Sequence, residues 1–333
     1  MKTQKKVVVI TGASSGIGQA TAEAFAREGA NLVIAARNAV ALQAVANTCR
    51  GLGADVIVVP TDVTDAQQVK ALAEAALGVG PIDVWVSNVG VGAVGKFQDT
   101  PIEAHEQVIR ANLIGHMNDA HAVLPIFLEQ DHGVFINMIS LGGFAAAPYA
   151  TAYSASKFGL KGFSEALRGE LANHPNIHIC DIYPAFMDTP GISHGANYTG
   201  RKLSAPPPVY DARKVADAVV RVSRHPKVTT TVGATADLIR VGHFFAPRLS
   251  ARLMNWFMTT YFRQADSRPM TDGNLFAPST RPGGIDGGLR SRTQRVALGA
   301  VAATVAVGLG LFAVANTYNR NSRRIQGRYR RGI

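Results

Sequence analysis

Along its first 235 residues the chain alternates short β-branched apolar runs with longer mixed segments. The runs stand at 6–10, 31–35, 54–59, 82–87, 133–139, 177–183 and 229–232. Continuous apolar runs of this length predict strands buried on both faces. The segments between them predict helices over 19–28, 38–52, 66–77, 101–129 with a break near Gly115, 151–173 and 211–223. Strand and helix in regular alternation predict an α/β fold, a doubly wound parallel sheet of about seven strands with helices on both faces. No internal repeat is visible.

The first strand runs into Thr11-Gly12-Ala13-Ser14-Ser15-Gly16-Ile17-Gly18, and a helix follows. Strand, glycine turn and helix in that order bring a helix N-terminus to bear on an anion, through free N–H groups and the helix dipole. Glycine allows close backbone approach. The spacing is G-x-x-x-G-x-G rather than G-x-G-x-x-G. At the end of the second strand Ala35 and Ala36 offer no carboxylate to a ribose 2′-hydroxyl, while Arg37 offers a cation to a 2′-phosphate. This pattern favours NADP(H) over NAD(H); the alternative is an ordinary solvated arginine. Asp62 and Ser87-Asn88-Val89-Gly90 also fall just past strand ends, where such a sheet binds its ligand.

Tyr153 and Lys157 are four residues apart in a helical segment, hence on one face. A free tyrosine has a pKa near 10, and a neighbouring ammonium together with a cationic nicotinamide is expected to lower it into reach of proton transfer. Ser140 adds a hydroxyl at the carboxyl edge of the fifth strand, and Asn112 an amide within a helix. Together the glycine turn, Asn112, Ser140 and Tyr153-x-x-x-Lys157 resemble the short-chain dehydrogenase/reductase family, over about residues 5–235. The resemblance implies a Rossmann-like domain that moves a hydride between nicotinamide and a carbonyl or secondary alcohol. It implies a catalytic tetrad of Asn112, Ser140, Tyr153 and Lys157, with Ser140 and Tyr153 on the substrate. It further implies cofactor contacts from Gly12, Ser14, Ser15, Gly16, Ile17, Gly18, Asp62, Val63, Asn88, Gly90, Tyr153, Lys157, Pro184 and Thr189, and a homodimer or homotetramer. The family's Asn-Asn-Ala-Gly stands here as Ser87-Asn88-Val89-Gly90, and its Pro-Gly as Pro184-Ala185.

Composition refines the picture at the C-terminus. The chain has 333 residues and a formal charge of +11. From Gly287 to Ile333 it has nine arginines and no acidic residue, so the body is nearly neutral. Residues 247–262 predict an amphipathic helix with Leu249, Leu253, Trp256, Phe257 and Tyr261 on one face, fit for core packing or a lid, or for membrane contact. Residues 263–295, rich in Gly, Pro, Ser and Arg, read as a linker. Residues 296–315 lack charge and are long enough to span a bilayer, the alternative being a buried or oligomerisation helix. The expected organisation is a catalytic domain over 1–237, an amphipathic extension over 238–262, a linker over 263–295, a transmembrane helix over 296–315 and a basic tail over 316–333. The catalytic domain is expected to face the cytoplasm.

Two cysteines, Cys49 and Cys180, form no disulfide framework, and no charged-then-apolar leader opens the chain, so secretion is not expected. His174 and His178 are separated by Pro175, and no metal spacing is found. The arginine tail lacks interleaved aromatic platforms, which argues against nucleic acid. The apolar 141–147 stretch leans toward a hydrophobic substrate, and the 191–210 loop is expected to shape its pocket. A non-catalytic NADP(H) sensor at a membrane is the competing reading; the complete tetrad counts against it.

Overall fold

The computed structural model describes residues 5–206, 208–281 and 283–290. Seven strands form one parallel sheet: β1 (Val7–Thr11), β2 (Asn31–Ala36), β3 (Val56–Pro60), β4 (Ile82–Ser87), β5 (Gly133–Met138), β6 (Ile177–Pro184) and β7 (Thr229–Val232). Their order is β7-β6-β5-β4-β1-β2-β3. β1 and β4 are neighbours although two strands separate them in the chain. That reversal opens a crevice at the carboxyl ends of β1 and β4, where doubly wound sheets bind ligands.

The helices are α1 (Gly16–Arg27), α2 (Ala39–Gly51), α3 (Ala66–Leu77), α4 (Ile102–Ile109), α5 (Gly115–Gln130), α6 (Thr151–Glu170), a short α7 (Gly191–His194), α8 (Arg213–Arg224), α9 (Ala234–Phe245) and α10 (Pro247–Gln264). Two apolar layers sandwich the sheet. On one face Phe25, Leu42, Val45, Val215, Val219 and Val222 of α1, α2 and α8 pack on Val8, Ile10, Leu32 and Ile34. On the other, Val69, Leu72, Val123 and Phe127 of α3 and α5 pack on Val9, Val33, Trp85 and Phe135. Every residue of β1 is buried, as its unbroken apolar run requires. Local chemistry sets the helix starts: the Asn38 side chain accepts from Ala41 N–H (3.0 Å), and Asp65 from Gln67 N–H (2.9 Å). The break expected near Gly115 is a π-helical turn over Arg110–Ile114, which carries Asn112.

The amphipathic helix expected over 247–262 is α10, which Pro247 opens because it cannot continue α9. Of the alternatives left open for its apolar face, core packing accounts for only its end. Trp256 is 67% exposed and Leu253 is exposed too, whereas Phe262 is buried against the Tyr149 ring. The described part of 263–295 is, contrary to expectation, no free connector, since residues through 289 belong to the same compact unit as the sheet. Leu275 and Ile285 are buried there, which composition alone concealed. Among the described residues no helix is long and apolar enough to cross a membrane; the expected span 296–315 and tail 316–333 lie outside them.

Candidate active site

The glycine turn joins β1 to α1 with Gly12 and Gly16 at φ +69° and +56°. A Cβ on Gly18 would collide with the Gly12 carbonyl, so only glycine lets the helix start this close to the turn. Asn88 braces the turn from β4: its Nδ2 donates to the carbonyls of Thr11 (3.3 Å) and Gly12 (3.2 Å). Beneath them lies a group that the sequence reading missed. The buried Asp119 Oδ2 accepts from the hydroxyls of Thr11 (2.8 Å) and Ser87 (2.6 Å). Burial pushes its carboxyl up to about 7, against the pull of those hydroxyls and of Trp85. Asp119 thus ties together the two loops that line the crevice. It also gives a partner to Ser87, one of the two departures from the family pattern. The only sequence signal was an acid inside the otherwise apolar run after Asn118.

The other expected cofactor residues gather around the crevice. A Cβ on Gly16 would stand 3.3 Å from the Thr189 side chain, so the turn and the loop after β6 meet. Pro184 closes β6, four residues after Cys180 and five before Thr189. Gly90 has no heavy atom within 4 Å of where a Cβ would stand. Asp62 folds its carboxylate onto Thr64, accepting from its N–H (3.0 Å) and hydroxyl (2.8 Å). Val63 is buried and its carbonyl accepts from Asn118 (2.8 Å). Arg37 is not freely solvated. Its Nη1 donates to the Leu275 carbonyl (3.0 Å) and its Nη2 to that of Asn274 (2.5 Å). Gly16 N–H, at the head of α1, likewise donates to the Gly284 carbonyl (2.8 Å). Donors that face oxygen acceptors in this crevice fit a phosphate-bearing dinucleotide.

The tetrad residues come together from three elements. Ser140 follows β5 with φ +142° and ψ +162°, a region costly for any residue but glycine, about 1–3 kcal/mol. Its hydroxyl accepts from Gly142 N–H (3.2 Å). Tyr153, in the first turn of α6, rests its ring on Gly142, where a Cβ would stand 3.1 Å from Cε1. One turn on, the buried Lys157 lies 5.8 Å from the Tyr153 ring centroid and donates to the Met138 carbonyl (2.9 Å). Asn112 is wholly buried. Its Oδ1 accepts from Val91 N–H (2.8 Å), and its Nδ2 donates to the Val91 carbonyl (2.9 Å) and Ser156 Oγ (3.2 Å). It therefore straps the loop after β4 to α6. The π turn that carries it is the kind of helix irregularity often found at functional sites.

The electrostatics differ from expectation in one respect. Burial pushes the Tyr153 phenol up, offset by Ser140, rather than down toward neutrality. The same burial pushes Lys157 down to about 7, so its ammonium is a weaker influence than a solvated lysine would be. His116, also buried, is pushed down to about 4 by desolvation and then by Lys157, against hydrogen bonds with Val89 and Asn137. It is a neutral strut between those residues.

A seven-stranded doubly wound sheet with a glycine turn and this cluster defines a nucleotide-dependent oxidoreductase. A family profile for short chain dehydrogenases matches residues 6–195, and the chain belongs to that family. It is 33% identical over 272 residues to YxnA, an oxidoreductase of Bacillus subtilis, covering 80% of this chain and 76% of the relative. Among solved structures it is similar to an alcohol dehydrogenase from the archaeon Thermococcus sibiricus complexed with 5-hydroxy-NADP. That match has a TM-score of 0.60 and 26% identity, over 69% of this chain and 96% of the other. It is similar also to a Burkholderia phymatum short chain dehydrogenase/reductase in complex with NAD (TM-score 0.63, 25% identity, 81% and 99% covered).

Proposed function

We propose that this oxidoreductase uses NADP(H) to interconvert a carbonyl and a secondary alcohol on an apolar substrate. The observation that carries the reading is the meeting of Ser140, Tyr153 and Lys157 beside the glycine turn. Bound nicotinamide supplies or accepts the hydride at the substrate carbon. In reduction the Ser140 hydroxyl holds the substrate oxygen, and the Tyr153 phenol gives its proton to that oxygen, completing the alcohol. A phenol pushed up by burial is protonated at neutral pH and ready to donate. Lys157, with a pKa near neutrality, is suited to return a proton to Tyr153 and to bind the nicotinamide ribose. Asn112 acts by positioning, since its amide fixes the loop and helix that flank the site. The apolar stretch that follows Ser140, with Leu141, Phe144 and Ala145, suits a hydrophobic substrate.

The preference for NADP(H) rests on Arg37. Fluorescence titration is expected to show tighter binding of NADPH than NADH, and Arg37→Asp should lower that preference for NADPH by about tenfold or more. A wild type that already prefers NADH contradicts the assignment.

Membrane attachment is a second part of the proposal, with the catalytic unit on the cytoplasmic side. It rests on the uncharged 296–315 stretch and on the outer faces of α9 and α10. Phe244 and Phe245 are each 79% exposed, and Val241, Leu253 and Trp256 are exposed as well. Residues 234–264 hold four arginines against one aspartate, a balance suited to anionic lipid. The two tryptophans make this measurable, because Trp85 is fully buried. Full-length protein mixed with anionic vesicles carrying brominated lipid should lose Trp256 emission, and Trp256→Phe should abolish the quenching. Vesicle-bound protein with unquenched emission would remove α9 and α10 from the proposal. The exposed Met117 of α5 and Phe158 of α6 leave room for the oligomer that the family resemblance implies.

A further inference from the structure

The segment after α10 runs along both margins of the dinucleotide crevice. At its first end Gly273 abuts the backbone of His194 and Gly195, and Asn274 N–H donates to the His194 carbonyl (2.8 Å). Leu275 is 0% exposed and joins Val91, Ala104, Val108 and Ala111 in an apolar cluster that also touches Tyr153. Its carbonyl accepts from Arg37 and from Gln107 Nε2 (3.2 Å). At the other end Ile285 is buried with Ile17, Ala20, Ala212 and Ala216. The Gly284 carbonyl takes Gly16 N–H, and Asp286 pairs with Arg213 through both guanidinium nitrogens (3.0 and 2.9 Å). Asp188 Oδ1 accepts from Gly287 N–H (3.0 Å) and Leu289 N–H (2.7 Å).

We propose that residues 273–281 and 283–287 form a strap that occupies the dinucleotide groove in cis and must leave it for the cofactor to bind. The inference rests on the cofactor reading given above. Its physical basis is the identity of the donors that the strap engages. Arg37 is the cation placed for a 2′-phosphate, and Gly16 N–H heads the helix placed for an anion. Backbone carbonyls of Asn274, Leu275 and Gly284 now satisfy both, neutral oxygens standing where anionic ones would go. A dinucleotide offers charge to these donors and so competes well, but only after Leu275 and Ile285 are drawn from their apolar seats. Cofactor affinity is then divided by the fraction of molecules with the strap open.

Two neutral substitutions loosen the strap from opposite ends. A Cβ on Gly287 would strike the Thr189 backbone, and one on Gly273 would strike the carbonyls of His194 and Gly195. In full-length protein, Gly287→Ala and Gly273→Ala should each speed chymotryptic cleavage after the exposed Phe276, next to Leu275, which reports release of the strap. Each should also tighten NADPH binding, by roughly tenfold if the open form is a tenth of the wild type. NADPH should in turn speed cleavage of the wild type. If both variants release the strap and NADPH binds equally or more weakly, the segment is a neutral cover or a lid that completes the site, and the proposal is wrong. If strap-released protein binds neither NADPH nor NADH, the cofactor reading itself fails.

Discussion

Tyr153→Phe should bind NADPH as the parent does and turn over a carbonyl substrate some 10²–10⁴-fold more slowly. The ring packs on Gly142 and lies above the Lys157 side chain, contacts that phenylalanine keeps. What it loses is the phenol oxygen, the proton carrier of the proposed reaction. The effect should therefore fall on kcat, with the affinity for NADPH unchanged within about twofold. Steady-state kinetics beside a cofactor titration separate the two, and turnover near the wild-type rate would remove Tyr153 from the chemistry.

Lys157→Met should give a protein that is more stable at neutral pH and nearly inactive. Lys157 is buried and its pKa falls to about 7 in the folded state, against 10.5 when unfolded. Between those values the unfolded chain binds more protons, so wild-type stability rises with pH across that window. At and below pH 7 the full cost of burying the ammonium applies. A drop of this size corresponds to a ceiling of about 4–5 kcal/mol. Loss of the bond to the Met138 carbonyl takes back about 1 kcal/mol. Thermal melts should show the variant ahead of wild type at pH 6, with the gap closing toward pH 10. A variant that melts below wild type at pH 6 contradicts this account. The activity loss should not be restored by raising pH, since the group proposed to re-protonate Tyr153 is gone.

Much of this site is legible in the residues because its chemistry is local in sequence. The glycine turn needs its spacing, the Tyr153–Lys157 pair needs one helical turn, and Ser140 needs only the end of a strand. The parallel sheet follows from seven apolar runs, and its observed strand limits match the expected ones or differ from them by one or two residues. Asp119 was not legible, because its partners Thr11 and Ser87 lie 108 and 32 residues away and only folding brings them beneath it. The strap was hidden by its own composition. Gly, Pro and Ser suggest a connector, yet two apolar residues, Leu275 and Ile285, suffice to seat it where sheet and helices leave pockets. The fall in the Tyr153 pKa inferred from Lys157 was likewise a contact-level argument, and burial of both groups reverses it.

Passage of a hydride between nicotinamide and a carbonyl carbon at this cluster is tested by incubating the protein with NADPH deuterated at the transferring position of C4 and a panel of apolar ketones and aldehydes, then following the label by mass spectrometry. The account predicts deuterium on the carbinol carbon of at least one alcohol product, and some 10²–10⁴-fold less when Tyr153→Phe replaces the wild type at the same protein concentration and time. Cofactor that binds but keeps its deuterium across the whole panel, in wild-type and strap-released protein alike, would contradict it.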